Sequence, residues 1–312
     1  MHLSAHCDYQ KIDNNNTNTD IFTNNIIVQL PDNRVEPNDK LSKYIFNLDN
    51  DVINARCLSI VENRNRGSPN KITTLVTFTS DYLEKLDSFD REVAMACFSI
   101  YTVGNAYTTD EQIYRVMIGN PKARLRNSER TNIENSLIRL MSTVARIDLS
   151  GLQQMGYKTT KSEIVSAVLP VQFVTNVKVN NSYRTVIKFL NEPPLITVAK
   201  IKNNQFITYK MALANVGGRN SPELIAIKNY VLRRIQECKL HPQLTRTVTF
   251  KDIFEKNGLS TKNKVEKKRY RDFLVRCFDD WKFLGLISNY EMRKKGSAYH
   301  GISFQLLKDR SR

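Results

Sequence analysis

The stretch from Lys262 to Leu307 admits few folds. It begins KNKVEKKRYRDFLVRCFDDWKFLGL. Val265, Tyr270, Phe273, Leu274, Cys277, Phe278, Trp281 and Leu284 recur at helical spacing and form one apolar stripe. Lys264, Lys267, Lys268 and Arg271 fall on the other side, with Lys262 just ahead of them. Such a helix packs its apolar back on a core and turns a cationic front toward a polyanion. Gly285 stops it, because a C-terminal cap favours the left-handed conformation that glycine takes easily. Leu286 to Met292 and Tyr299 to Leu306 then read as two strands around RKKGS, a β-hairpin whose tip is Arg293, Lys294 and Lys295.

A basic helix followed at once by a basic-tipped hairpin is the element order of a winged helix. In that arrangement the helix enters a DNA groove and the hairpin touches the flanking backbone. Two preceding helices complete the unit. Ser221 to Cys238 has a serine N-cap, Pro222 at its first position and a stripe of Leu224, Ile227, Tyr230, Val231 and Ile235. Thr249 to Asn257 is a shorter helix closed by Gly258. The plainer alternative, a solvated helix face without a ligand, explains the basic helix but not the basic hairpin beside it.

Charge distribution supports the polyanion. The chain of 312 residues carries a net charge of +16. From Lys239 to Arg312 there are 18 Lys and Arg against 8 Asp and Glu, so +10 of the excess lies in the last quarter. Five scattered cysteines have neither metal-ligand nor redox spacing and read as reduced thiols. No secretory leader is recognisable and no apolar run is long enough for a bilayer, so a cytoplasmic protein without a membrane partner is expected.

The rest of the chain repeats the pattern of elements. Residues 1–70 are polar at the start, with NNNTNTD, and read as a partly disordered arm. Lys71 to Thr79 is β-branched and reads as a strand. Helices follow at Ser88 to Tyr101, capped by Ser88 or Asp90, from Thr108 or Thr109 to Gly119, and at Ser128 to Ser142. The basic turn KARLRN lies before the last of them. It offers Lys122, Arg124, Arg126 and Asn127, and the helix adds Arg130, Thr131 and Asn135, with Glu134 and Arg139 also outward. Strands are expected over Val144 to Leu149, Glu163 to Val179 and Tyr183 to Phe189, with a turn at Asn180-Asn181-Ser182. Leu195 to Leu213 is mixed, with a helix expected near its end, and Val216-Gly217-Gly218 reads as a flexible joint. The fold class is therefore α+β, with two tandem winged-helix domains over 71–190 and 191–312 behind the arm.

Several segments carry a resemblance. DREVAMACFSIY, TDEQIYRVMI, SERTNIENSLIRLMS, FITY leading to SPELIAIKNYVLRRI, and WKFLGLI before the hairpin resemble the replication initiators of iteron-containing plasmids. The resemblance runs from about Lys71 to Leu307 and implies tandem winged helices. It also implies double-stranded DNA with repeated origin sites as partner, a monomer–dimer equilibrium, dimer contacts through the first unit, and host replication proteins as further partners. Two other readings stay open: a winged-helix transcription repressor, and a DNA nicking or recombining enzyme.

Catalysis has little support in the residues. His2, His6, His241 and His300 do not cluster with acids or cysteines, and no Walker loop or GxGxxG occurs. Tyr290 and Tyr299 lack the histidine-flanked metal site that a DNA-cleaving tyrosine needs. No cofactor and no enzymatic activity are expected.

Overall fold

The computed structural model describes residues 29–38, 40–46, 57–63, 71–80, 86–154, 156–179, 182–218 and 220–307. The turn expected at Asn180-Asn181 and the polar segment before residue 29 lie outside the described residues. The fold is α+β.

Two units share one order of elements. In the first, α2 (Ser88–Thr102), β4 (Tyr107–Thr108), α3 (Asp110–Ile118) and α4 (Asn127–Ser142) are followed by the hairpin strands β7 (Val171–Val179) and β8 (Ser182–Phe189). In the second, α7 (Pro222–Leu240), β10 (Thr247–Thr249), α8 (Phe250–Lys256) and α9 (Lys264–Phe283) are followed by β11 (Ile287–Lys295) and β12 (Ala298–Leu306). The sheets agree as well. Each short strand pairs with the last hairpin strand, giving the orders β4-β8-β7 and β10-β12-β11. Both units thus carry the three helices and the hairpin expected from the sequence; the short strands β4 and β10 after the first helix of each were not expected.

Local chemistry sets the boundaries. At α9, Asn263 accepts from the backbone N–H of Glu266, whose carboxylate accepts from the backbone N–H of Asn263. Thr109 opens α3 with the same reciprocal bonds to Gln112, and Ser221 with Pro222 opens α7. Asp87, rather than Ser88 or Asp90, caps α2, and Asp90 closes the box as its third helical residue. The hairpin turn is tighter than expected. Lys295 pairs with Ala298, so only Gly296 and Ser297 form the turn, and Gly296 has φ +63°. Arg293, Lys294 and Lys295 therefore extend strand β11 instead of forming the tip.

The first unit carries an additional sheet, built from strands on both sides of its three helices. The strands β2 (Cys57–Asn63), β3 (Lys71–Ser80), β5 (Thr143–Asp148) and β6 (Glu163–Ala167) form a four-stranded antiparallel sheet in the order β2-β3-β5-β6, with α5 (Ser150–Gln154) between β5 and β6. The single strand expected over Glu163 to Val179 is thus two strands in two sheets, broken near Pro170, whose nitrogen offers no ladder donor.

Residues 33–46 are not a polar arm. β1 (Asn33–Pro37) pairs antiparallel with β9 (Phe206–Lys210), and α1 (Lys40–Ile45) places Leu41 and Ile45 in the first core. The helix expected near the end of Leu195 to Leu213 lies at its start, as α6 (Pro194–Ile201), with only a 3-10 turn over Met211–Ala214. Leu195, Ile196 and Val198 of α6 pack in the first core, so the expected division at residue 190 separates a helix from the unit it supports. Helix α7 serves both cores. Ile225 packs in the first, while Leu224, Ile227 and Val231 pack in the second.

A buried ion network joins β1, α2, β9 and α7. Arg34 donates to Glu92 at 2.9 Å and lies 3.0 Å from Glu36. Arg233 donates to Glu92 at 2.9 Å and also to Glu36, which accepts from the Tyr209 hydroxyl. Asn229 donates to Glu92 at 2.7 Å and to the Met117 carbonyl at 3.1 Å. Burial alone would push the Glu36 carboxyl up, but Arg233 and Arg34 beside it hold it down to about 2. Burial, helped by the charge of Arg233, lowers Arg91 to about 10.

Lys228 sits beside this network, fully buried, with its amine donating to Asn220 at 3.3 Å. Burial lowers its pKa to about 8 from 10.5. Below pH 8 the folded and unfolded chains both hold that proton. Between pH 8 and 10.5 only the unfolded chain does, so stability rises with pH across this window, by at most about 1.4 kcal/mol per unit. Tyr209, raised well above its ordinary value by burial, acts in the opposite sense once tyrosines in the unfolded chain begin to ionise. Cys97 and Cys277, whose thiols burial pushes up, act in that opposite sense too as cysteines in the unfolded chain ionise near pH 9. The Lys228 contribution is therefore read as a difference: urea midpoints of the parent should gain on those of Lys228→Met as pH rises from 7 through 8 and 9 to 10. A constant gap between the two proteins contradicts the assignment.

The expected flexible joint is a packing contact. Gly217 has φ +76°, and a Cβ there would lie 2.5 Å from the Phe273 ring and 2.7 Å from the Cys277 sulfur. Its N–H donates to Asp280 at 2.8 Å. A Cβ on Gly218, with φ +70°, meets nothing within 4 Å. Gly217→Ala should therefore cost about 2–4 kcal/mol from overpacking and left-handed strain together, and Gly218→Ala about 1 kcal/mol from strain alone. Equal melting temperatures for the two variants would contradict this difference.

Candidate nucleic-acid interface

Helix α9 carries most of the candidate site residues of the second unit. Tyr270, Phe273, Leu274, Cys277, Phe278 and Trp281 are buried as their spacing requires, and the Trp281 indole N–H donates to the Leu213 carbonyl at 2.9 Å. Val265 and Leu284 belong to the sequence stripe but not to the core: they are 78% and 50% exposed. Val265 lies in the first turn of the helix and Leu284 is its C-cap residue.

The predicted cations divide into groups. Lys264 is exposed and forms no ion pair among the described residues. Lys268 is exposed and lies 3.0 Å from Asp272 in a solvated pair, an interaction that contributes little. Lys262 pairs with Glu266 at 3.3 Å. Lys267 leans inward: it donates to the Ser260 carbonyl at 2.5 Å and lies 5.8 Å from the centre of the Phe254 ring. Arg271 lies over Phe250 at 5.9 Å. Their cation–π contacts fasten α9 to α8, and the Lys267 hydrogen bond ties it to the loop between them.

On the hairpin, Arg293 donates to Ser303 at 2.9 Å and lies 3.4 Å from Glu291. Lys294 lies over the Tyr299 ring at 5.1 Å, and Lys295 is exposed beside the turn. The Tyr290 hydroxyl donates to Asp279 at 2.6 Å. Burial and that carboxylate push its pKa up to about 12.

In the first unit, Lys122, Arg124, Arg126, Asn127, Arg130 and Thr131 are all exposed around the start of α4. Arg130 is held in an ion pair with Asp110, and the Thr131 hydroxyl donates to the Asn127 carbonyl at 3.1 Å. Asn135 is exposed farther along α4. Arg139, expected outward, instead grips the Asp90 carboxylate at 2.7 Å and so anchors α4 to α2.

Sequence reading missed Arg269 and Arg276. They lie on the flank of α9 that faces the first unit, and with Arg124 and Arg126 they line a cleft of about 550 Å³. A neighbouring cleft of about 640 Å³ shares Arg269 and Arg276 and adds Lys268. Their spacing of seven residues put both on one flank of the helix, but nothing in the sequence said that the first unit stood opposite.

Two crystal structures resemble this fold. Both contain domains 2 and 3 of RctB, one of them as a selenomethionine derivative. They share 9% and 11% identity with the chain, with TM-scores of 0.41 and 0.39. Each match covers 80% of this chain and 91% of the other. No family model and no curated protein matches.

Among the described residues, no group of three His, Cys, Asp or Glu side chains lies together as a metal site would require. No helix among them is long and apolar enough to cross a membrane.

Proposed function

We infer that the chain binds double-stranded DNA sequence-specifically through two winged-helix units and acts as a replication initiator on repeated origin sites. The observation that carries this is the matched topology of the units. Each places a polar or basic helix, α4 or α9, ahead of a hairpin, and the second bears the denser cation set. Helix α9 reads the groove, and β11 supplies backbone contacts from Arg293, Lys294 and Lys295. The first unit adds backbone contacts through Lys122, Arg124 and Arg126 and takes part in a monomer–dimer equilibrium. Binding proceeds without catalysis: the Tyr290 hydroxyl, held by Asp279 and pushed up in pKa, is a poor nucleophile at neutral pH.

Footprinting the intact chain on its parent DNA tests this reading. Protection of several direct repeats supports an initiator. Protection of one palindrome favours a repressor. Strand cleavage with a divalent metal favours a nicking enzyme. Binding with no salt dependence would contradict all three, since each requires phosphate neutralisation.

A further inference from the structure

We propose that the cleft between the two units is a phosphate-binding seat, in which Arg124 and Arg126 of the first unit and Arg269 and Arg276 of the second hold one stretch of phosphate oxyanions. The proposal rests on the duplex-DNA reading for its main ligand, the backbone of the DNA bridging the two units.

Four guanidinium-bearing side chains line this cleft of about 550 Å³. None of the four forms an ion pair among the described residues. The carboxylates nearby are already engaged. Glu129 accepts from the Tyr114 hydroxyl at 2.8 Å and from the backbone N–H of Arg126 at 2.8 Å. Asp272, in the adjoining cleft, is paired with Lys268. Glu129 also lines the cleft, and its bonds to neutral donors leave its charge in place, so four arginines stand there against one carboxylate. The excess positive charge favours an entering anion. Arginine also narrows the ligand class. Its planar fork matches two oxygens of one phosphate, whereas a general solvated surface is served equally well by lysine.

On the second unit's wall the arginines are restrained. Arg269 and Arg276 lie over the rings of Tyr270 at 5.4 Å and Phe273 at 5.9 Å, which limits their swing. Arg126 is the N-cap residue of α4. Helix α7 begins on the facing side with Ser221, so the positive ends of two long helices add to the field. The buried network ties α7, whose first turn lines the cleft, to α2 of the first unit.

The phosphate has two sources to distinguish: the DNA backbone, or a free phosphate compound. Duplex binding is measured across a salt series for the parent chain, for Arg124→Ala/Arg126→Ala, for Arg269→Ala/Arg276→Ala and for all four changes together. Thermal stabilisation by inorganic pyrophosphate at constant ionic strength is measured on the same proteins. If the backbone is the ligand, each pair lowers the salt slope by about two. The quadruple variant then loses less than the sum of the pairs, because the two walls share phosphates. If a free phosphate compound is the ligand, the slope holds but pyrophosphate stabilisation disappears in every variant. Unchanged slope together with unchanged pyrophosphate response overturns the seat. Additive losses from the two pairs overturn its sharing between units. Should the parent chain bind no duplex at all, the duplex-DNA reading fails, and the pyrophosphate measurement alone decides the seat.

Discussion

Arg233→Met is expected to destabilise the protein by about 3–5 kcal/mol, the range for breaking a buried ion pair from one side. Arg233 contacts both Glu36 and Glu92 where neither carboxylate meets solvent. Removing it leaves two buried negative charges with Arg34 as the cation still ion-paired to them among the described residues, and Arg91 and Lys228 nearby. Urea unfolding measures the loss, with an unchanged denaturant slope showing that the same surface is exposed. A cost below about 1 kcal/mol would mean that water reaches the carboxylates and the network is not a buried one. Acid provides a second reading. Glu36 is held at about 2 in the fold against an ordinary value of 4.5. Its contribution is therefore complete above pH 4.5 and fades as pH falls toward 2, by roughly 3 kcal/mol over that window. Glu36→Gln should flatten this acid limb. Because the network draws on both units, the parent chain should also unfold in a single transition seen alike by fluorescence and circular dichroism.

The same network explains where the sequence was opaque. The stripe of α9, the caps Thr109 and Ser221, and the repeated order of helices and hairpin were legible because they follow from local spacing and local hydrogen bonds. Residues 33–37, NRVEP, were not, because charged residues are rarely buried without partners and these partners come from α2, β9 and α7. Charge misled again in the hairpin, where Arg293 to Lys295 continue a strand whose faces are both solvated near its end. Pro194 at the start of α6 and Pro170 between β6 and β7 were available signals, the first for a helix start and the second for a strand break. Gly217 looks like a joint in a sequence; only the position of Phe273 shows that no side chain fits there. In the interface, the charge of α9 was legible, but its division was not. Lys267 and Arg271 turn toward α8, while Arg269 and Arg276 turn toward the first unit.

That division gives the last prediction its contrast. Lys264, Lys268, Lys294 and Lys295 are exposed on α9 and the hairpin, where DNA phosphates are expected to run. Removing one lysine that neutralises a phosphate should lower the salt slope by about 0.9 and the affinity at 0.15 M salt by roughly fivefold. Replacing all four by alanine should then lower the slope by about 3.6 and weaken binding several-hundredfold on every duplex sequence, with little change in melting temperature. Lys267→Ala should behave differently. Its amine is committed to the Ser260 carbonyl and the Phe254 ring, so its loss should lower stability by about 1 kcal/mol and leave the slope unchanged. Anisotropy titrations at four salt concentrations, with a melting curve for each variant, separate the two effects. An unchanged slope in the fourfold variant would remove α9 and its hairpin from the DNA interface. A slope that falls for Lys267→Ala alone would show that this side chain leaves α8 to meet the duplex.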